Sequence, residues 1–372
     1  MSLRVTAYGS TYSLIFNKID EDRRIVCNLD GAETLPFCYI EYPLKVDKSF
    51  DPAEYKIVLL GNSKLVENDI YQVYDKISER RIGWCFPIQA LNSAEHSYAD
   101  NEHFLRYAYV AALKLLGDLP ENVFTITPNI EDTSSITFPH FFPECVAVLV
   151  VSLKSLESAD DFKIFDWLPS LFVHGYVPLS MRDPSFLLWS GRKPQKVRMN
   201  IRPMSMFFRN LLFIRTLFSD LLAFESNPLL RFFYLYQIVE LLLEQVFKKE
   251  QGILVNNLIS SCNDTEKTKD ILDKISQYSS EKRRLNLLMR SYIRCTPNQA
   301  ELQTACKTFL SANDKEHAED VSASLYKVRN ILFHQYRDVS DEELIDDIVS
   351  ELVPFLEHLL YEFNGEPIHT VE

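Results

Sequence analysis

The 372-residue chain, 47% hydrophobic and 24% charged, is long enough to bury two cores, and this balance excludes a fibrous or disordered polypeptide. With 9 glycines it holds no Gly-rich phosphate loop, neither GxGxxG nor GxxxxGK. The formal net charge of −13 argues against bulk non-specific binding of nucleic acid and leaves only binding through a local basic patch.

The opening segment, MSLRVTAYGSTYSLIF, lacks the charged-then-apolar profile of a secretory signal. Short β-branched or aromatic runs follow: Leu3 to Ala7, Tyr12 to Phe16, Phe37 to Tyr42, Tyr55 to Leu60 and Val146 to Leu153. Bounded by Asp, Asn, Gly and Pro, they read as strands. Helical spacing predicts helices over roughly 64–79 and 102–116; in the second, Phe104, Ala108, Ala111, Ala112 and Leu115 share a face. The longest apolar run, Cys145 to Leu153, is about half of what a membrane span needs. The cysteines at 27, 38, 85, 145, 262, 295 and 306 form no CxxC pair and read as reduced thiols. Together these features predict a soluble, cytoplasmic chain with no membrane partner.

Metal and cofactor chemistry finds no support in the letters. His140, in Pro139-His140-Phe141-Phe142-Pro143, reads as a packed loop histidine. His96 and His103 stand near Glu95 and Glu102 without metal-ligand spacing, and HExxH and GxSxG are both missing. No metal and no cofactor is therefore expected.

The pattern breaks at Pro178, Pro184 and Pro194 and at a basic run, Arg192, Lys193, Lys196, Arg198 and Arg202, followed by Arg209 and Arg215. The run reads either as a solvated linker or as an RNA-binding patch. From Met206 every periodic segment is helical, over about 206–224, 227–250, 266–277, 281–293, 298–311, 318–337 and 341–363. Ser226-Asn227-Pro228, Thr296-Pro297-Asn298 and Ser340-Asp341-Glu342-Glu343 carry the cap and first-turn residues of helix starts. The expected fold class is α+β: an N-terminal mixed domain over 1–200, then an all-helical domain over 201–372.

Helix 227–250 is apolar on nearly all sides, with one thin polar stripe of Gln237, Glu240, Glu244 and Lys248. Such a helix belongs at the centre of a bundle, with Glu240 either at its rim or supporting a site on a neighbouring helix. Near the C-terminus lies Arg329-Asn330-Ile331-Leu332-Phe333-His334. Leu325, Val328, Ile331 and Leu332 make the apolar stripe there, and Asn330 and His334, four apart, share the opposite face. Tyr326 and Arg337 flank them. Arg329 falls between the faces, with a stem long enough to swing its head toward His334. Histidine exchanges a proton near neutral pH, and arginine holds a phosphate with a permanently charged fork. The acidic residues Asp338, Asp341, Glu342, Glu343, Asp346, Asp347 and Glu351 suit the start of a last helix.

On these residues the segment 206–363 resembles a HEPN domain, most of all its Apea-like branch, in which a late helix carries R-x4–6-H with Asn after the Arg. Arg329, Asn330 and His334 match that motif, and FFYLYQIVELLLEQVF resembles the family's early helix. The resemblance implies a homodimer in which two copies of the late helix line one cleft. It also implies metal-independent endoribonuclease activity, used as a toxin or in abortive defence against phage. Arg329, His334 and Asn330 would then be catalytic, Glu240 and Tyr326 supporting, and Lys327 and Arg337 would bind RNA. Converging cations at the cleft would make cleavage salt-sensitive. The N-terminal half, outside the resemblance, is expected to sense or restrain, through an antitoxin or a phage-derived trigger. The alternative is a HEPN-like scaffold that binds RNA or protein without cutting, for example beside a nucleotidyltransferase antitoxin.

Overall fold

The structure is a computed structural model that describes residues 2–7, 9–31, 38–45, 50–117, 119–120, 122–130, 135–156, 162–261, 263–293, 298–339 and 341–368. Phe37, Cys262, Cys295, Thr296, Pro297 and Ser340 lie outside the described residues. Helices and sheets are both present, as an α+β class requires, and the chain divides into two compact units. One comprises Met1–Trp167 and His174–Arg202, the other Leu168–Val173 and Pro203–Glu372.

Among the described residues the first unit holds two sheets. Strands β1 (Arg4–Ala7), β2 (Ser10–Ile19), β3 (Arg24–Leu29), β4 (Cys38–Glu41) and β8 (Ser135–Ile136) form one, in that order. The other runs β10 (Val177–Pro178), β5 (Tyr55–Gly61), β9 (Val146–Ser152), β7 (Arg81–Pro87), β6 (Tyr71–Asp75), β11 (Arg198–Ile201). Helix α1 (Glu102–Gly117) buries Phe104, Ala108, Ala111 and Leu115 in a core shared with Val5, Leu14, Ile25 and Ile40 of the first sheet and Leu59, Trp84, Phe86, Val148 and Val150 of the second. Strand β9 is buried along its whole length between β5 and β7, which is why its sequence is apolar without alternation.

The helix expected over 64–79 does not form. Asp69 accepts from the Val66 amide at 3.1 Å, and Asp75 accepts from the Ile77 amide at 3.0 Å and the Ser78 hydroxyl at 2.7 Å. These local bonds offer the backbone turns in place of a helix, and Tyr71 and Val73 between them alternate inward on β6. The basic run belongs to the first unit rather than to a linker, with Arg192, Lys193, Lys196 and Arg198 exposed as the solvated reading expects and Arg202 buried. Lys193 meets both carboxylate oxygens of Asp69 at 3.2 Å, the Arg198 guanidinium lies 3.8 Å from the Tyr74 ring centroid, and β11 pairs in parallel with β6.

Cys27 and Cys38 face each other across β3 and β4, both buried and free. Burial pushes each thiol up to about 12, with the neighbouring Cys38 adding to the effect on Cys27. A thiol raised from its ordinary value of 9.0 stays protonated in the fold, so its contribution to stability is complete below pH 9 and lost as pH rises toward 12. Iodoacetamide at pH 8 is expected to label neither residue until denaturant is added. Labelling of the native protein at the unfolded rate would contradict this burial.

In the second unit, α2 (Leu168–Val173) packs on the last helix, α10 (Glu343–Glu362), six residues that a contiguous division at 200 assigns to the N-terminal domain. The segment expected as one helix over 206–224 is α3 (Leu212–Thr216), a π turn over Leu217–Leu221, and α4 (Leu222–Phe224). Helix α5 (Pro228–Ser260) starts at a cap in which Asn227 accepts from the Leu229 and Leu230 amides, and it runs ten residues past the expected end. Then come α6 (Thr265–Tyr278), α7 (Glu281–Leu287) with a π turn over Leu288–Tyr292, α8 (Gln299–Ala312) and α9 (Val321–His334). Leu235, Val239 and Leu242 of α5, Cys306 and Phe309 of α8, Leu325 and Val328 of α9 and Leu352 and Leu356 of α10 are buried in this unit. The turn into α10 is held by Asp341, which accepts from the Glu343 amide at 2.9 Å.

Candidate functional site

Helix α9 is fixed at its start by Asp320, whose carboxylate accepts from the Ala323 amide at 2.7 Å and the Ser322 hydroxyl at 2.7 Å. Val321, Leu325, Val328 and Leu332 anchor it in the core. This anchoring sets where the six residues from Arg329 to His334 point.

Arg329 turns inward. Its side chain is 17% exposed, and Nη2 lies 3.6 Å from Oε1 of Glu240 on α5 and 3.5 Å from Oε2 of Glu281 on α7. Nη1 donates to the Asn330 side-chain oxygen at 3.2 Å. The guanidinium also lies 4.5 Å from the Phe333 ring centroid and 5.8 Å from that of Tyr236. Buried Nε has no hydrogen-bond acceptor among the described residues. Sequence reasoning placed the Arg head outward beside His334. The structure sends it to the carboxylates because a delocalised cation over aromatic rings needs counter-charge once partly desolvated.

Glu281 is the member that the sequence did not announce. It is the first residue of α7, where an acid is ordinary, and only the fold brings it to Arg329, 48 positions on. The buried Tyr236 hydroxyl donates to Glu281 at 2.7 Å. Burial, then the neighbouring Glu281 charge, pushes the Tyr236 phenol well above its ordinary value, so it stays a donor. Tyr236 and Glu240, four apart on α5, face the same neighbour, which was legible as spacing but not as contact. The rest of the polar stripe is exposed, with Glu244 and Lys248 paired at 2.6 Å.

His334 is the last residue of α9 and is exposed. Its imidazole makes no hydrogen bond or ion pair with any described residue. Asn330 is spent on Arg329 rather than on the histidine through its oxygen, leaving its NH2 group as donor. Tyr326 is half-buried, and its hydroxyl has no bond to a described residue. The Lys327 ammonium donates to the Glu316 carbonyl at 2.9 Å, and Arg337 lies exposed in a short 3-10 turn after α9. Arg329, Asn330, Glu240, Glu281, Tyr236 and Phe333 thus form one cluster; His334, Lys327 and Arg337 lie on the surface. Among the described residues no His, Cys, Asp and Glu are grouped to hold a metal, and no helix is long and apolar enough to cross a membrane.

No family model, no curated protein and no solved structure matches this chain significantly.

Proposed function

We propose that the helical unit is a HEPN-like, metal-independent endoribonuclease that works as a dimer, with RNA as substrate. The observation that carries this reading is the pairing of a rigidly held Arg329–Asn330 cluster with a solvent-facing, unengaged His334 at the end of the same helix. Such a histidine is free to exchange a proton with substrate. In a cleft shared by two copies, one His334 takes the ribose 2′-OH proton as that oxygen attacks the adjacent phosphate, and the other protonates the departing 5′-oxygen. Arg329 and the Asn330 amide offset charge that grows on the phosphate. A role as toxin or anti-phage effector, with the N-terminal unit as the part that receives an antitoxin or trigger, is part of the same proposal.

Purified protein is expected to cut single-stranded RNA with EDTA present, to leave a 2′,3′-cyclic phosphate and a 5′-OH, and to spare DNA, which lacks the attacking hydroxyl. Cleavage that EDTA abolishes, or products with a 5′-phosphate, would sink the mechanism. One observation favours the second reading, a non-cutting RNA- or protein-binding scaffold. The Arg329 charge is already balanced by two carboxylates inside the bundle, as a structural arginine's would be. Intact RNA after incubation with a protein that binds it would decide for the scaffold.

A further inference from the structure

The second unit carries a groove of about 530 Å³ lined by Tyr278, Lys282, Arg283, Asn286, Leu287, Arg290 and Ser291. Three of these are cations and none is an acid, in a chain whose formal net charge is −13. Local charge therefore opposes the global balance here, which a solvated surface of this protein does not need. Lys282, Arg283 and Arg290 are all exposed.

The geometry suits an extended anion. Lys282 and Asn286, four apart on α7, make a row on one face, and Arg290 continues the lining from the π turn. The lining ends in the π turn over Leu288–Tyr292, a distortion that proteins keep mainly at functional places. Half-buried Tyr278 on α6 supplies a ring on which a base can stack. The field reaches beyond the groove. Asp320, raised somewhat by partial burial, is brought below its ordinary value by the Ala323 amide, the Ser322 hydroxyl and the nearby charges of Arg290 and Lys282. The groove also adjoins the arginine cluster in sequence, since Glu281 holds Arg329 and Lys282 begins the row.

We propose that the groove along α7 and its π turn binds the phosphodiester backbone of single-stranded RNA, feeding the strand toward α9. The choice of RNA as the polyanion rests on the ribonuclease reading. The basic row went unremarked in the sequence because it sits inside an amphipathic helix, where cations usually mean a solvated face.

The test is fluorescence anisotropy of a labelled 12-nucleotide oligouridylate with the full chain at several salt concentrations. The triple variant Lys282→Ala, Arg283→Ala, Arg290→Ala is compared with wild type and with a control, Lys267→Ala, Lys269→Ala, Lys274→Ala, that removes the same charge from exposed positions of α6. Losing three phosphate contacts is expected to weaken binding on the order of 100-fold at about 0.1 M salt and to reduce the slope of log K against log salt by about 2. The α6 control should bind like wild type. The proposal is overturned if wild type does not bind the oligonucleotide, if the groove variant binds as well as wild type, or if the α6 control loses as much. If the groove variant alone loses binding while wild type cuts nothing, the groove stands and the ribonuclease reading falls.

Discussion

Replacing His334 by alanine is expected to reduce RNA cleavage by about 10² to 10⁴-fold, the range a general acid or base contributes, while leaving the unfolding transition where it was. Both halves of that expectation come from the same placement. The side chain is exposed and makes no hydrogen bond or ion pair with a described residue, so the fold loses little when it goes. Its proposed proton transfers, in contrast, have no substitute nearby. Lys327 is engaged with the Glu316 carbonyl, and Tyr326 is half-buried. His334→Asn, which keeps a polar side chain but cannot exchange a proton near neutral pH, should be as impaired as the alanine variant. Adding His334→Ala to wild type tests the shared cleft. If two copies complete one site, a mixed dimer holds one imidazole where the chemistry uses two, so cleavage falls with the square of the wild-type fraction rather than in proportion to it. Cleavage by His334→Ala at the wild-type rate would remove the histidine from the chemistry and with it the proposed mechanism.

The contrast between what the letters showed and what they hid follows from range. Helix α1, α6, α8, α9 and α10 were legible because apolar residues recur at helical spacing and caps such as Asn227 act within three residues of themselves. Strand β9 was legible as an apolar run. Over 64–79 the same counting misled, since the Val66–Asp69 bond and the Asx turn at Asp75 decide the backbone locally and the apolar positions serve a strand. The two π turns sit inside segments with unbroken helical spacing, so nothing in the pattern marks them. At the candidate site, Arg329, Asn330 and His334 stood out as letters, and Glu240 as a polar interruption of an apolar helix. Glu281 and the groove cations did not, because their meaning depends on contacts across 48 residues or on a shared concavity.

Removing Arg329 is expected to damage the fold as well as the activity, and the size of that damage can be argued from its neighbours. Arg329→Ala leaves Glu240 and Glu281 facing one position without a cation and strips the stacking partner from Phe333. Breaking a fully buried pair costs about 3–5 kcal/mol. Here Glu240 is 47% exposed and Glu281 22%, so water screens part of the repulsion, and about 2–3 kcal/mol is the expected loss. Glu281→Ala should cost about 1–3 kcal/mol by a different route: the buried Tyr236 hydroxyl loses its acceptor, while Arg329 keeps Glu240. Glu281→Gln retains an acceptor oxygen and should cost less than the alanine variant. These groups share one network, so their effects will not add. Arg329→Ala combined with Glu281→Gln should be less unstable than the two single losses sum to, by about 0.5–3 kcal/mol. Urea denaturation followed by helical circular dichroism reads all four values, and strict additivity would show that the cluster is not a unit. The same numbers govern how activity is read. Loss of cleavage in Arg329→Ala mixes a missing phosphate ligand with a loosened α5–α7–α9 junction. Arg329→Lys keeps the charge but gives up the planar fork and the stacking. If Arg329 only braces the bundle, cleavage per folded molecule is unchanged in Arg329→Lys; if it also meets phosphate, cleavage falls there further than stability does.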